Sequence, residues 1–279
     1  MSLFIYTTLF SRKFIYMKKA KIVIIYGYHE NNVVETNNLL YFLAHGLSIP
    51  ADFIFVINGV TSVIFPNHPH LQLIYRCDTD NKFEPYYSAV RYLKHSYDYY
   101  FFINSCVRGP FIPKYVTNLR WIDPFLDLLK GEVRMVGNTI KFSEEEEVGS
   151  SLLIPYLPAQ LFAMDRKCFE FLRDDHQLFT PPTDVTPPTD VVNDEQATRR
   201  LLMMSRLVLS RGWNLSCLIP EYQGIDYRCF RKNPKITGID PNQSRSCFGR
   251  TLHPYETIFI STTDQILLED ITSLSLGKP

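Results

Sequence analysis

Two hydrophobic patterns alternate along the first hundred residues. Apolar runs rich in β-branched and aromatic side chains occur at Lys21 to Tyr26 (KIVIIY), Asp52 to Ile57 (DFIFVI) and Tyr99 to Ile103 (YYFFI), and Leu71 to Tyr75 reads as a further strand. A run with no polar alternation marks a strand covered on both faces. Gly27 breaks the first run, and Asn58-Gly59 ends the second with a turn signal. Between these two runs Val34, Leu39, Phe42 and Leu43 share one helical face, with Asn31 or Asn32 as cap and an end near His45. Glu84 to Ser96 reads as a second helix. Strands and helices in this alternation predict βαβ units and a mostly parallel sheet.

Farther along, Trp121 to Leu129 reads as a short helix, and Arg134 to Val136 and Leu161 to Met164 as strands. Arg199 to Ser210 is a helix stopped by Gly212, and Trp213 to Leu218 and Thr257 to Ser261 are the last strands. Glu144 to Glu147 reads as a solvated acidic loop. Thr180 to Val191 is TPPTDV written twice; its prolines exclude helix and central strand, so it is a surface loop, a tolerated insertion or a lid. Residues 1–16 are apolar but interrupted by Ser11, Arg12 and Lys13, too short to span a bilayer, and read as an extension before Met17. One domain over 17–263 and a tail over 264–279 follow.

Composition narrows the field modestly. Hydrophobic residues make up 46% and charged ones 21%, as in ordinary globular chains. Twenty-nine basic residues balance twenty-nine acidic ones, so no footprint for nucleic acid or an anionic membrane appears. The six cysteines form no CxxC pair, which argues against a zinc site and for reduced thiols in the cytoplasm.

In an open α/β sheet, ligands bind outside the carboxyl ends of the strands. The first strand ends in Tyr26, Gly27, Tyr28, His29 and Glu30, the third runs into Arg76-Cys77-Asp78-Thr79-Asp80-Asn81, and the fourth into Asn104-Ser105-Cys106-Val107-Arg108. These polar tails are expected to converge on one cleft. No GxGxxG or P-loop follows any strand, which removes the specific support for a dehydrogenase or an NTPase. Arg76 and Arg108 match phosphate geometry, against the alternative of surface ion pairs. Asp78 and Asp80 suit helix capping, ribose hydrogen bonding or a hard cation, and His253 a metal or a phosphate.

The segment YDYYFFINSCVRGPFIP (Tyr97 to Pro113) is similar to a glycosyltransferase-like family of algae, plants and large algal viruses, whose members carry a pattern like NSxVRGPFLP. WIDPF (Trp121 to Phe125), MVGNTI (Met135 to Ile140), AQLFAMDR (Ala159 to Arg166), LSRGWNLSCLIPEYQGIDYR and LHPYETIFI resemble further family segments in the same order. The resemblance covers about Lys21 to Ser261 and comes nearest to chlorovirus-type rhamnosyltransferase domains. It implies a GT-A fold, a nucleotide-sugar donor (a UDP-sugar), a glycan acceptor, Mn²⁺ or Mg²⁺, and a place in the cytoplasm, the host's if the chain is viral. On it, Tyr26, His29, Arg76, Asp78, Asp80, Asn81, Asn104, Ser105 and Arg108 hold the donor. Asp80, Asn104 and His253 face the metal, while Asp123, Asp165 and Gln160 serve catalysis or the acceptor. Asp165 reads equally well as a helix cap. Asn104-Ser105-Cys106 stands where most GT-A enzymes place Asp-x-Asp and contains no carboxylate; that departure leaves a catalytically inactive nucleotide-sugar or glycan-binding relative as the alternative.

Overall fold

A computed structural model describes residues 20–77, 82–147, 150–180, 193–229 and 240–263. The N-terminal extension, the duplicated TPPTDV segment beyond Thr180, the C-terminal tail, and Asp78, Asp80 and Asn81 lie outside the described residues.

The chain runs β1 (Ile22–His29), α1 (Val33–His45), β2 (Asp52–Asn58), β3 (Leu71–Arg76), α2 (Glu84–Val90), β4 (Tyr99–Asn104), β5 (Val107–Arg108), α3 (Asp123–Leu128), β6 (Val133–Gly137), β7 (Lys141–Glu147), β8 (Ser150–Tyr156), β9 (Leu161–Asp165), α4 (Arg166–Glu170), α5 (Asn193–Ser210), β10 (Asn214–Cys217), α6 (Pro254–Thr257) and β11 (Ile260–Ser261). Seven strands form the central sheet in the order β10-β6-β9-β4-β1-β2-β3. Its pairs are parallel except that β9 runs antiparallel to both β4 and β6. This is the mainly parallel α/β sheet that the hydrophobic runs predict.

The unbroken runs arise because both faces of the sheet are covered. Along β4, Tyr100 and Phe102 pack into one core with Tyr86 of α2 and Met204 of α5. Phe101 and Ile103 pack into the other core with Phe42 of α1 and Phe125 of α3. Pleat alternation sends successive side chains to opposite layers, so a strand inside an α/β/α stack must be apolar at every position.

Four boundaries differ from the sequence reading. Gly27 does not end β1, which pairs with β2 through His29. A Cβ at Gly27 would sit 2.8 Å from Pro85 Cβ, so this glycine lets the start of α2 press on the strand end. α2 stops at Val90 instead of reaching Ser96: Tyr92 and Leu93 donate to carbonyls only three residues back, and the chain turns into β4. The acidic stretch is a strand, since β7 pairs with the apolar β8, Phe142 is buried, and Glu145 pairs with Arg206 of α5. Pro254 to Thr257 is helix, and only Ile260–Ser261 remains as strand, paired with β5.

Candidate functional site

β2 lies on one side of β1 and β4 on the other. The chain therefore changes winding direction between β1 and β4, and a crevice opens beyond their carboxyl ends. Gly27, His29, Glu35, Asn58, Lys82 and Asn104 line the first part of it, a notch of about 40 Å³. Lys82, Asn104 and Cys106 also line a second part of about 250 Å³, which continues toward Lys141, Tyr156, Gln160 and Thr198. Asn104 stands where the two parts meet.

The backbone fixes Asn104 rigidly. Its N–H donates to Gln160 O at 3.1 Å, and the next residue, Ser105, donates to Gly27 O at 3.1 Å. Its side-chain Oδ1 accepts from Cys106 N at 3.0 Å, closing a local Asx turn. Because an N–H must meet an oxygen, that bond also fixes which way the amide faces. Nδ2 is left buried with no hydrogen-bond partner among the described residues, on a side chain 5% exposed. Gln160 repeats the arrangement: Nε2 donates to Ser261 Oγ at 3.2 Å and Oε1 is buried without a partner. Buried amide groups left unpaired in this way cost stability. One donor and one acceptor thus wait on the crevice wall for a polar ligand.

Glu35 is the carboxylate of this crevice among its described lining residues. The pattern Asn-x-x-Glu at the start of α1 reads as a capping box, and Asn32 Oδ1 does accept from Glu35 N at 2.9 Å. The Glu35 carboxylate, however, accepts from Ser105 Oγ at 2.9 Å. Burial, the larger cause, pushes its pKa up; the Ser105 hydrogen bond and the charges of His29 and Lys82 pull it partly back. A carboxyl group that holds its proton longer when folded contributes most stability at low pH and loses it as pH rises above the ordinary 4.5. Glu35→Gln is therefore expected to melt with wild type at acid pH and above it at neutral pH. Thermal denaturation across pH measures this, and a variant less stable than wild type at pH near neutral contradicts it.

The remaining expected site residues divide. His29, Asn104, Ser105 and Gln160 line the crevice. Arg76 stands one step behind it, donating to Asn58 Oδ1 at 3.3 Å and pairing with Glu84 at 2.6 Å, so it props the wall. Tyr26 is sealed in the core against Phe42 and Phe55, which corrects its reading as a donor contact. Arg108 turns away, donating to Asn38 Oδ1 at 2.9 Å on the α1 side. Asp123 opens α3 and pairs with Arg120 at 2.6 Å, apart from the crevice lining. Asp165 is the N-cap of α4 and pairs with Arg134 at 2.5 Å. It faces Tyr99 at the far end of β4, and the five-residue step from there to Asn104 is about 17 Å of strand. It is a structural cap. His253 is exposed, caps α6 through Nδ1, and lines neither part of the crevice. The expected meeting of Arg76, Asn104 and His253 on one ligand is thus reduced to Asn104, with Arg76 in support.

Three contributors escaped the sequence reading: Glu35, because its spacing reads as a cap; Lys82, because it follows an uninformative tail; and Asn58, because Asn-Gly reads as a turn. Strand register could have found Asn58, since it lies level with His29 and Arg76.

A resident Mn²⁺ or Mg²⁺ does not fit the described residues. Hard cations want several carboxylate or carbonyl oxygens. Among its described lining residues the crevice offers one carboxylate, Glu35, and the amide oxygen of Gln160, beside a lysine, while the Asn104 amide oxygen is already engaged. No group of three or more His, Cys, Asp or Glu suited to a metal occurs among the described residues. No helix among them is long and apolar enough to cross a membrane.

No protein-family model and no curated protein matches the chain. Solved structures with a similar chain path include a mannosyltransferase from Pyrobaculum calidifontis in complex with GDP-Man and Mn²⁺, at 12% identity and TM-score 0.42, covering 72% of this chain and 55% of that one. A 4-diphosphocytidyl-2C-methyl-D-erythritol synthase from Anaerococcus prevotii matches at 10% identity and TM-score 0.36, over 71% and 86%. The catalytic domain of Drosophila β1,4-galactosyltransferase 7, in complex with xylobiose, matches at 10% identity and TM-score 0.35, over 74% and 66%. This chain thus spans about half the length of the mannosyltransferase. At these scores none of the similarities assigns an activity to it.

Proposed function

We propose that the chain is a glycosyltransferase that takes a sugar from a nucleotide-sugar donor, a UDP-linked hexose or deoxyhexose, and joins it to a hydroxyl of a glycan acceptor. One observation carries the reading: the unpartnered Asn104 Nδ2, buried at the crossover crevice between β1 and β4. On this reading the nucleoside end of the donor lies across the mouth of the notch, with Glu35 accepting from its hydroxyl or N–H groups. The diphosphate passes Asn104 and Lys82, and the sugar enters the larger chamber beside Gln160. In the reaction the bond between the anomeric carbon and the phosphate oxygen breaks, with its electron pair leaving on the nucleoside diphosphate. The acceptor oxygen forms the new bond, and its proton passes to the departing diphosphate or to water. Lys82 and the Asn104 amide then face the negative charge that builds on the leaving group, the kind of preorganised electrostatic help that is usually a large catalytic contribution.

A divalent metal would supply the same neutralisation in enzymes that carry one. Here the lysine and amide serve that role, and no step is routed through a metal. The second reading, a binding-only relative, draws on the larger chamber, which carries no Asp or Glu among its described lining residues. Nucleotide release from a panel of UDP-, GDP- and TDP-sugars, with oligosaccharide acceptors and with or without Mn²⁺, separates the two. Acceptor-stimulated release from one donor supports transfer. Binding of a donor without release supports the inactive relative, and the absence of both binding and release overturns the proposal.

A further inference from the structure

On the α1 side of the sheet, away from the crevice, a groove of about 850 Å³ runs between α1 and the segment Pro110 to Trp121. Its walls are aromatic. Tyr41 packs against Phe111 with ring centroids 5.1 Å apart, while Tyr115 is 84% exposed and Tyr255 43% exposed. Rings left in water at this density are unusual unless something covers them. Sugar rings suit such surfaces, because their C–H faces stack on the ring while their hydroxyls stay solvated.

The charge of the groove is one-sided. Lys114, Arg120 and His45 line it, and no aspartate or glutamate does. Arg120 is matched by Asp123. Behind Tyr41, Arg108 is only 6% exposed and spends its Nε on a neutral amide, Asn38 Oδ1. A buried guanidinium facing an amide leaves a positive field at the nearest surface. Burial and then Tyr255 push the Tyr41 hydroxyl pKa up, and Arg108 pulls it partly back, so that field reaches the groove wall. The adjoining hollow past Phe111 and Leu119 holds Asp127 and Glu256, which are already paired with Lys130 and Arg250.

We infer that this groove binds an acidic glycan, a sugar chain bearing carboxylate or sulfate groups, stacking it on Tyr41, Tyr115 and Tyr255 and neutralising it with Lys114, with the buried Arg108 adding only its field. It rests on the transferase reading in one respect, for it would hold a stretch of the acceptor polymer at a second place, distant from the transfer site. Single-stranded nucleic acid is disfavoured because two unmatched cations and a chain of zero formal charge make a poor electrostatic track.

The test uses the full chain and four probes: an oligogalacturonate, its methyl ester, a sulfated oligosaccharide and a short single-stranded oligonucleotide. Calorimetry should detect the oligogalacturonate, and both the neutral ester and Lys114→Glu should weaken binding about tenfold or more. Tyr115→Ala, at a side chain exposed enough not to disturb folding, should weaken the sulfated and carboxylated chains alike. Equal binding of ester and acid, preference for the oligonucleotide, or no effect of either substitution overturns the inference. Donor nucleotide-sugar titrated into the same Lys114→Glu protein should bind as to wild type. Glycan binding without donor binding would sink the transferase reading and leave this site standing; donor binding without glycan binding would do the reverse.

Discussion

Asn104→Asp is expected to lower kcat/KM for sugar transfer by about 10²–10³-fold, or about 3–4 kcal/mol of transition-state stabilisation. The substitution isolates one atom. An aspartate oxygen still accepts from Cys106 N, so the turn after β4 persists. What changes is the atom facing the crevice: an N–H donor becomes a carboxylate oxygen. Beside a departing diphosphate that replaces a hydrogen bond with like-charge repulsion. The substitution also recreates a carboxylate in the position where Asp-x-Asp enzymes carry one. Steady-state kinetics with and without Mn²⁺ decides the matter. Activity maintained, or raised and made metal-dependent, contradicts the donor role assigned to Nδ2.

Phe102→Ala is expected to cost about 3–5 kcal/mol of stability, which for a domain of this size is about 10 °C in Tm. Phe102 is fully buried in the central strand. It stacks on Phe162 at 4.8 Å and Phe179 at 5.3 Å, and meets Tyr86 edge-on at 5.2 Å. These neighbours belong to β9, to the segment after α4, and to α2, so no single element can move in to fill the space. Urea denaturation checks this through a fall in midpoint with unchanged slope. A loss below about 1 kcal/mol would mean that the layer collapses around the cavity and is not packed as described.

The fold was largely legible, because a strand covered on both faces leaves a run of apolar residues that turns and helices cannot imitate. β1, β2 and β4 stand out for that reason, whereas β3 lies at the sheet edge with Tyr75 exposed. The β7–β8 hairpin did not, because a run of four glutamates reads as a loop, whereas Glu144 is exposed and Glu145 pairs with α5 on a paired strand. The site was legible only where strand ends carry it. His29 and Asn104 follow from the rule that ligands sit at carboxyl ends; Gln160 follows only from the family resemblance, because it precedes β9, whose antiparallel run brings its amino end to the same edge. Asp123, Asp165 and His253 rest on the family resemblance and Arg108 on its place after β4, and each holds a local partner: Arg120, Arg134, the Tyr255 amide and Asn38 respectively. A charged side chain in a sequence says nothing about which neighbour has already claimed it. Glu35 failed in the other direction, since a residue spaced as a cap gave no sign that its carboxylate points into the crevice.

On the proposed function, the crevice beyond β1 and β4 is where a nucleoside diphosphate binds. Titrating UDP and GDP into isotope-labelled protein, and following backbone amide shifts by NMR, asks this directly. Shifts centred on Gly27, His29, Glu35, Asn104 to Cys106 and Gln160 are predicted. Shifts centred on Tyr115 and Arg120 instead, or none with either nucleotide at millimolar concentration, would contradict it.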